Sequence, residues 1–161
     1  MGTKKKSWLL IAMLALTAAP SMAQYRVDRL ITAGRSALFY EDYVLSIKYF
    51  NLAIGAKPYL YEPWYFRSVA KFSLDDYMGA ESDATEALQL NPYVNDIYDL
   101  RAICRIRQNN YEDAIKDYNR AIHLEPRNRN YWFNRALCKM EDGKYDDALA
   151  QLDSIITRWD K

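Results

Sequence analysis

NDIYDLRAICRIRQNNYEDAIKDYNRAIHLEP, residues 95–126, carries the pattern that decides the fold. Its two halves part at Asn110. In the first, Tyr98, Ala102 and Arg105 share one face of a helix. In the second, Ala114, Tyr118 and Ala121 do the same. Spacings of three and four place side chains on one helical face, so each half reads as an amphipathic helix. The alanines let two helix backbones approach where the pair crosses, and the large Tyr118 fills the space beside them. Pro126 then stops the second helix, because proline lacks an N–H and disfavours helix in the residue before it.

Working outward, the same unit recurs on both sides. Tyr43, Tyr77, Tyr111 and Tyr145 are spaced by 34, as are Pro58, Pro92 and Pro126. Ala53, Ala87 and Ala121 keep the register, with Ile155 in the fourth slot, and so do Ser46, Ala80, Ala114 and Ala148. Leu30, Trp64, Tyr98 and Trp132 form a fifth column. The copies split at Asp42, Asp76, Asn110 and Lys144, giving two segments of about fourteen residues each. Pro63 falls in the first turn of its helix, where a missing N–H costs nothing. A period of this length predicts stacked supersecondary units that cannot bury their apolar faces alone. The expected fold is an all-α, right-handed α-solenoid of four helix-turn-helix repeats, eight helices in all, over residues 27–60, 61–94, 95–128 and 129–161. The first helix of each pair is expected on the concave face.

These columns resemble the tetratricopeptide repeat family, whose pattern runs W-x2-L-G-x2-Y, then A-x3-F-x2-A, then P. Repeat two matches at Trp64, Ala80, Ala87 and Pro92, and repeat three at Tyr98, Ala102, Ala114, Tyr118, Ala121 and Pro126. Repeat four matches at Trp132, Ala136, Ala148 and Leu152. Repeat one is the loosest, with Leu30, Gly34, Ser46, Phe50, Ala53 and Pro58. The chain departs from the pattern at Arg67, Arg101 and Arg135, where the family usually has leucine. Repeats two and three also carry Asp83 and Asp117 in one fixed slot of the second helix, whereas repeat four has Gln151 there. The expectation is an intra-repeat pair in each case, since a partly buried guanidinium needs a partner.

The beginning of the chain follows another rule. Lys4, Lys5 and Lys6 precede an apolar run from Trp8 to Ala19, then Pro20 and Ser21-Met22-Ala23. That is the layout of a secretory signal peptide over residues 1–23, with cleavage expected after Ala23. The run is shorter than the ~20 residues that span a bilayer, so an uncleaved anchor is the weaker reading. The expected location is periplasmic or secreted, with membrane contact only before cleavage. Removing those three lysines turns the formal charge of +1 into −2, which leaves no basic footprint for nucleic acid. Residues 24–161 form the repeat domain.

Nothing in the chain suggests catalysis. It has no Gly-rich phosphate loop, nucleophile elbow or metal-ligand motif, and its single histidine, His123, cannot build a metal site. No metal or cofactor is expected. The acids Asp75-Asp76 and Asp146-Asp147 sit where helices start, the place that dipole and capping favour. Cys104 and Cys138 occupy one slot of adjacent repeats, where repeats one and two have Ser36 and Ala70. Equivalent points on stacked helices lie ~8–10 Å apart, too far for a disulfide, so buried free thiols are expected.

The family resemblance implies ligand contacts on the first helices. Carried over slot by slot, the groove residues are Ile31, Arg35 and Phe39, then Tyr65, Val69 and Phe72, then Asp99, Ile103 and Arg107, and Phe133. Ile106, Leu137, Met140 and Glu141 occupy further slots of the same kind. Members that grip a C-terminal carboxylate use basic residues and asparagine at slots held here by Ile31, Arg35, Phe66, Asp96 and Leu100. Only Arg35 is basic, so that clamp is absent, and an extended or helical segment with apolar anchors is expected instead. At the other end, Leu149, Leu152, Ile156 and Trp159 form an apolar stripe with no following helix to cover it. The stripe marks a continuing chain, a partner site or a self-association face. Taken together, the sequence describes a non-enzymatic protein-interaction scaffold of the bacterial envelope. A glycan-binding module and a self-assembling structural piece are the alternatives.

Overall fold

In a computed structural model, residues 26–159 are described. The expected signal segment over 1–23, and the side chain of Trp159, lie outside what is described. The described residues form eight helices. α1 covers 26–39, followed by α2 (Tyr43–Ala56), α3 (Tyr61–Ser73), α4 (Tyr77–Leu90), α5 (Asn95–Arg107), α6 (Tyr111–Leu124), α7 (Arg129–Glu141) and α8 (Tyr145–Trp159). None of these is long and apolar enough to cross a membrane.

The turn inside each pair is built the same way four times. Glu41, Asp75 and Asn109 take φ of 60°, and Gly143 takes 76°. A left-handed residue closes the first helix, and the next N–H reaches back five residues to a carbonyl: Asp42 to Ala37, Asp76 to Lys71, Asn110 to Arg105 and Lys144 to Lys139. Only the fourth copy uses glycine, the residue that adopts this conformation without strain. The residue after it at once caps the next helix. Asp42 accepts from the Leu45 N–H, Asp76 from Gly79 and Asn110 from Asp113.

Packing within a pair follows the small-residue columns. Ala80, Ala114 and Ala148 are fully buried, as are Ala70, Ala102 and Ala136. In repeat one the crossing is tighter still: a Cβ on Gly34 would meet Phe50 at 2.6 Å, so the glycine makes room for that ring. Serines in these columns spend their hydroxyls on backbone oxygens. Ser46 donates to the Gly34 carbonyl at 2.9 Å and Ser68 to the Ala80 carbonyl at 2.7 Å. Buried hydroxyls are thereby satisfied without breaking the apolar interface.

Packing between pairs rests on the aromatic column. Trp64 Nε1 donates to the Pro58 carbonyl at 2.9 Å, Trp132 Nε1 to Pro126 at 3.1 Å, and the Tyr98 hydroxyl to Pro92 at 3.3 Å. Each ring thus ties its own repeat to the proline ending the one before. Tyr118, Ile97, Tyr131, Ala121 and Ile122 continue the core across repeats three and four. α3 and α5 approach each other closely, and no two even-numbered helices do so to the same extent. The odd-numbered helices form one side of the stack, the side that the repeat pattern assigns to the concave face.

Candidate functional site

The arginine column resolves into a chain of clasps. Arg67 forks onto Asp83, with Nε and Nη2 each 2.7 Å from a carboxylate oxygen, and reaches Asn51 of α2. Arg101 forks onto Asp117 at 3.0 and 2.7 Å and reaches Thr85 of α4. Arg135 contacts Gln151 at 3.0 Å and reaches Asn119 of α6. Each guanidinium also lies over the aromatic one turn earlier: Arg67 over Trp64, Arg101 over Tyr98 and Arg135 over Trp132. The arginines therefore join three helices each, and are structural. A second cation completes each carboxylate, Lys71 on Asp83 and Arg105 on Asp117, both at 2.8 Å. Arg105 also holds Glu81 of the preceding repeat. Sequence reading assigned Arg105 to a helix face and missed this role. Its slot holds Lys71, Arg105 and Lys139, a basic column that would have revealed it.

Cys104 and Cys138 are unbonded and buried. Burial pushes their thiols up to about 12 and about 11, so they stay protonated and unreactive.

Ile31 and Arg35 meet Leu60, Glu62 and Phe66 around a hollow of about 280 Å³, with Arg35 lying 4.9 Å over the Phe66 ring. Tyr65 and Val69 are partly buried along α3, and Phe72 packs against Tyr77 at 5.5 Å. Arg107 lies 5.8 Å over that same Tyr77 ring, turned toward repeat two. Phe39 is set apart: it is 80% exposed at the end of α1 and touches Tyr40. Of the expected groove residues, Ile31 and Arg35 share the hollow beside Phe66, while Phe39 lies apart from it.

A second hollow lies between α5, α6 and α7. A cavity of about 500 Å³ is walled by Ile103, Ile106, Leu137, Cys138, Tyr118 and Asn134, with Glu141 and Tyr111 at its edge. Phe133, Leu137 and Met140 stand exposed in sequence along α7 and extend the apolar wall. Tyr118, Tyr111 and Asn134 were missed by sequence reading, since they come from the second helix or from a slot outside the family's groove set. Beside the cavity sits Asp99, whose Oδ1 is shut from solvent and has no hydrogen-bond partner. Burial raises its pKa and Asp96 adds to this, while the adjoining Tyr118 hydroxyl favours the ionised form. The same acids act outward. Tyr65 is raised by burial and then by Asp96 and Asp99, and Tyr131, which bonds Asn95 at 2.9 Å, reaches about 12 mainly through burial.

Residues 100–161 match the tetratricopeptide-repeat family model. No curated protein is similar in sequence. Solved structures share the fold over most of the chain. The MamA protein aligns with a TM-score of 0.80 and 19% identity, over 91% of this chain and 78% of that one. YrrB, described as a tetratricopeptide protein with an unusual peptide-binding site, aligns at 0.77 and 15%, over 90% and 75%. The first such domain of Spaghetti (RPAP3), bound to the HSP90 peptide SRMEEVD, aligns at 0.69 and 27%, over 71% and 90%. The fold is that of a tetratricopeptide stack, an architecture that typically serves as a non-enzymatic interaction scaffold.

Proposed function

We propose that the protein is a non-enzymatic scaffold of the bacterial envelope that holds a peptide or partner segment on its concave face. The observation that carries the reading is the cavity beside α7, opening onto exposed Phe133, Leu137 and Met140 on the odd-helix side. Exposed apolar anchors around a preformed hollow are the ordinary equipment of a binding surface. The groove residues of the reading are Ile31, Arg35, Tyr65, Val69, Phe72, Asp99, Ile103, Arg107 and Phe133, with Phe39 at the rim. The peptide-binding relatives of the same fold support it. A photo-crosslinking residue placed at Phe133 or Val69 should trap a partner in intact cells, and one at Lys48 on α2 should not. Equal trapping from both faces would sink the reading. The envelope location is tested by sequencing the N-terminus of the protein recovered from cell fractions. Gln24 as first residue supports it, and an intact Met1 in the cytoplasm refutes it.

A second reading, self-association, is favoured by one contrast between the ends. Along α8, Leu149 is 59% and Ile156 56% exposed, with Leu152 half-buried beside them. On α1 the slots that bury Pro63 or Ile97, and Ala70 or Cys104, in later repeats hold exposed Arg29 and Ser36. An apolar tail and a polar head do not fit each other, so copies meeting through α8 would pair tail to tail and stop at a dimer. Sedimentation of the protein and of Ile156→Lys distinguishes the two: a dimer abolished by the substitution supports this reading, and a monomer in both cases removes it.

A further inference from the structure

The charge of the concave side is uneven in a way that apolar anchoring alone does not use. The groove slots of α3, α5 and α7 hold Glu62, Asp96, Asp99 and Glu141 against a single arginine, Arg107. Arg107 is drawn over Tyr77, away from α7. Among the residues walling the large cavity, Glu141 is the one carrying charge, and none is basic. At its other end Tyr118 joins the cavity to Asp99, whose Oδ1 lacks the donor that a buried carboxylate oxygen ordinarily has. By contrast Asp83 and Asp117, which lie deeper, are each met by two cations of the same chain. Among the described residues the fold pairs Asp83 and Asp117 with cations and shows no ion pair for Asp96, Asp99 or Glu141.

We propose that the face between α5 and α7 binds a cationic peptide segment, one apolar side chain filling the cavity walled by Ile103 and Leu137 and a neighbouring lysine or arginine meeting Asp96 and Asp99. The inference rests on the peptide-holding reading above and adds the chemistry of the ligand. Its apolar part is set by the cavity, which is large enough for a leucine, phenylalanine or methionine side chain. Its charge is set by complementarity: Asp96, Asp99 and Glu141 on the α5 and α7 side reinforce each other and steer a cation inward. A ligand like the acidic peptide bound by the Spaghetti domain would meet like charge here.

Three fluorescein-labelled peptides of equal length test it on the full chain. Each carries leucine at alternate positions, with the intervening positions all lysine, all glutamate or all serine. The lysine peptide should bind about tenfold or more tighter than the serine peptide at low salt, and the glutamate peptide weakest, with the spread shrinking as salt rises. Asp96→Asn with Asp99→Asn should erase most of the lysine preference, read as the ratio of lysine-peptide to serine-peptide affinity within the same variant. Glu141→Gln, on an exposed side chain that the fold does not need, should reduce it in the same direction. Leu137→Ser should weaken all three peptides alike. Equal affinity for the three, or a lysine preference untouched by Asp96→Asn, Asp99→Asn and Glu141→Gln, overturns this inference alone. Binding of none of them overturns it together with the reading it rests on.

Discussion

Repeats three and four share a pattern and differ in how it is closed. In repeat three the clasp between α5 and α6 is ionic: buried Asp117 takes a forked contact from Arg101 and another from Arg105. In repeat four the clasp between α7 and α8 is neutral. Gln151 accepts from Arg135 and donates to the Trp132 carbonyl, and burial lowers the arginine's pKa. Repeat three is also covered on both sides, so Ile122 is 7% exposed, while Ile156 in the same slot of repeat four is 56% exposed. Among the described residues the two repeats therefore differ in cover: Ile122 of α6 is packed away, while α8 presents Leu149 and Ile156. In a stack whose stability is a sum over neighbours, the less covered unit with a neutral clasp opens first. Amide exchange is expected to be fastest in α8 and slowest in α5 and α6.

Breaking the ionic clasp has the largest effect. Asp117→Ala leaves two partly buried guanidinium groups facing an empty site and should cost about 3–5 kcal/mol in chemical denaturation. Gln151→Ala, its counterpart, should cost only about 1 kcal/mol, the net worth of an ordinary hydrogen bond. Similar losses from the two would remove the distinction between the repeats. Next comes the apolar pair. Ile122→Ala should cost about 2–5 kcal/mol through lost burial and a cavity, whereas Ile156→Ala should change stability by no more than about 0.5 kcal/mol. A large loss at Ile156 would mean that α8 is covered in solution.

Sharpening the comparison gives smaller effects. Gln151→Asp supplies repeat four with the carboxylate of its neighbours and should raise the midpoint of unfolding by about 1 kcal/mol equivalent, charge-assisted contacts being roughly twice as strong as neutral ones. No gain would show that the Gln151 amide on Trp132 matters as much as the missing charge. The smallest effect separates the turns. Gly143→Ala should cost about 1 kcal/mol because alanine resists a φ of 76°. Asn109→Gly should stay within about 0.5 kcal/mol, since relief of backbone strain is offset by losing the hydrogen bond from the Tyr111 hydroxyl.

The periodic columns were enough to place helices, turns and pairs. Pro58, Pro92 and Pro126 stop helices for reasons local to the chain, and Asp42, Asp76 and Asn110 cap them for reasons equally local. The pairing of Arg67 with Asp83 and Arg101 with Asp117 was legible too, because the two slots change together from repeat to repeat. Arg105 was not, since its partners Asp117 and Glu81 lie on two different helices of two different repeats. The groove was half legible. Slots on the odd helices follow from the period, but the cavity depends on Tyr118 and Asn134, which belong to different helices and meet only when α6 and α7 pack.

The sequence alone determined what repeats by 34: helix, turn, cap and the small-residue crossings, all set by neighbours a few bonds or one helical turn away. Only the tertiary structure decided which charges are spent and which are left. Asp83, Asp99 and Asp117 are the same residue type, the first and last on second helices and Asp99 on a first helix. Two of them are satisfied by cations brought from neighbouring helices, and Asp99 is left beside a cavity with an oxygen unpartnered. The difference arises because burial and pairing are properties of the assembled stack, and no segment carries them by itself.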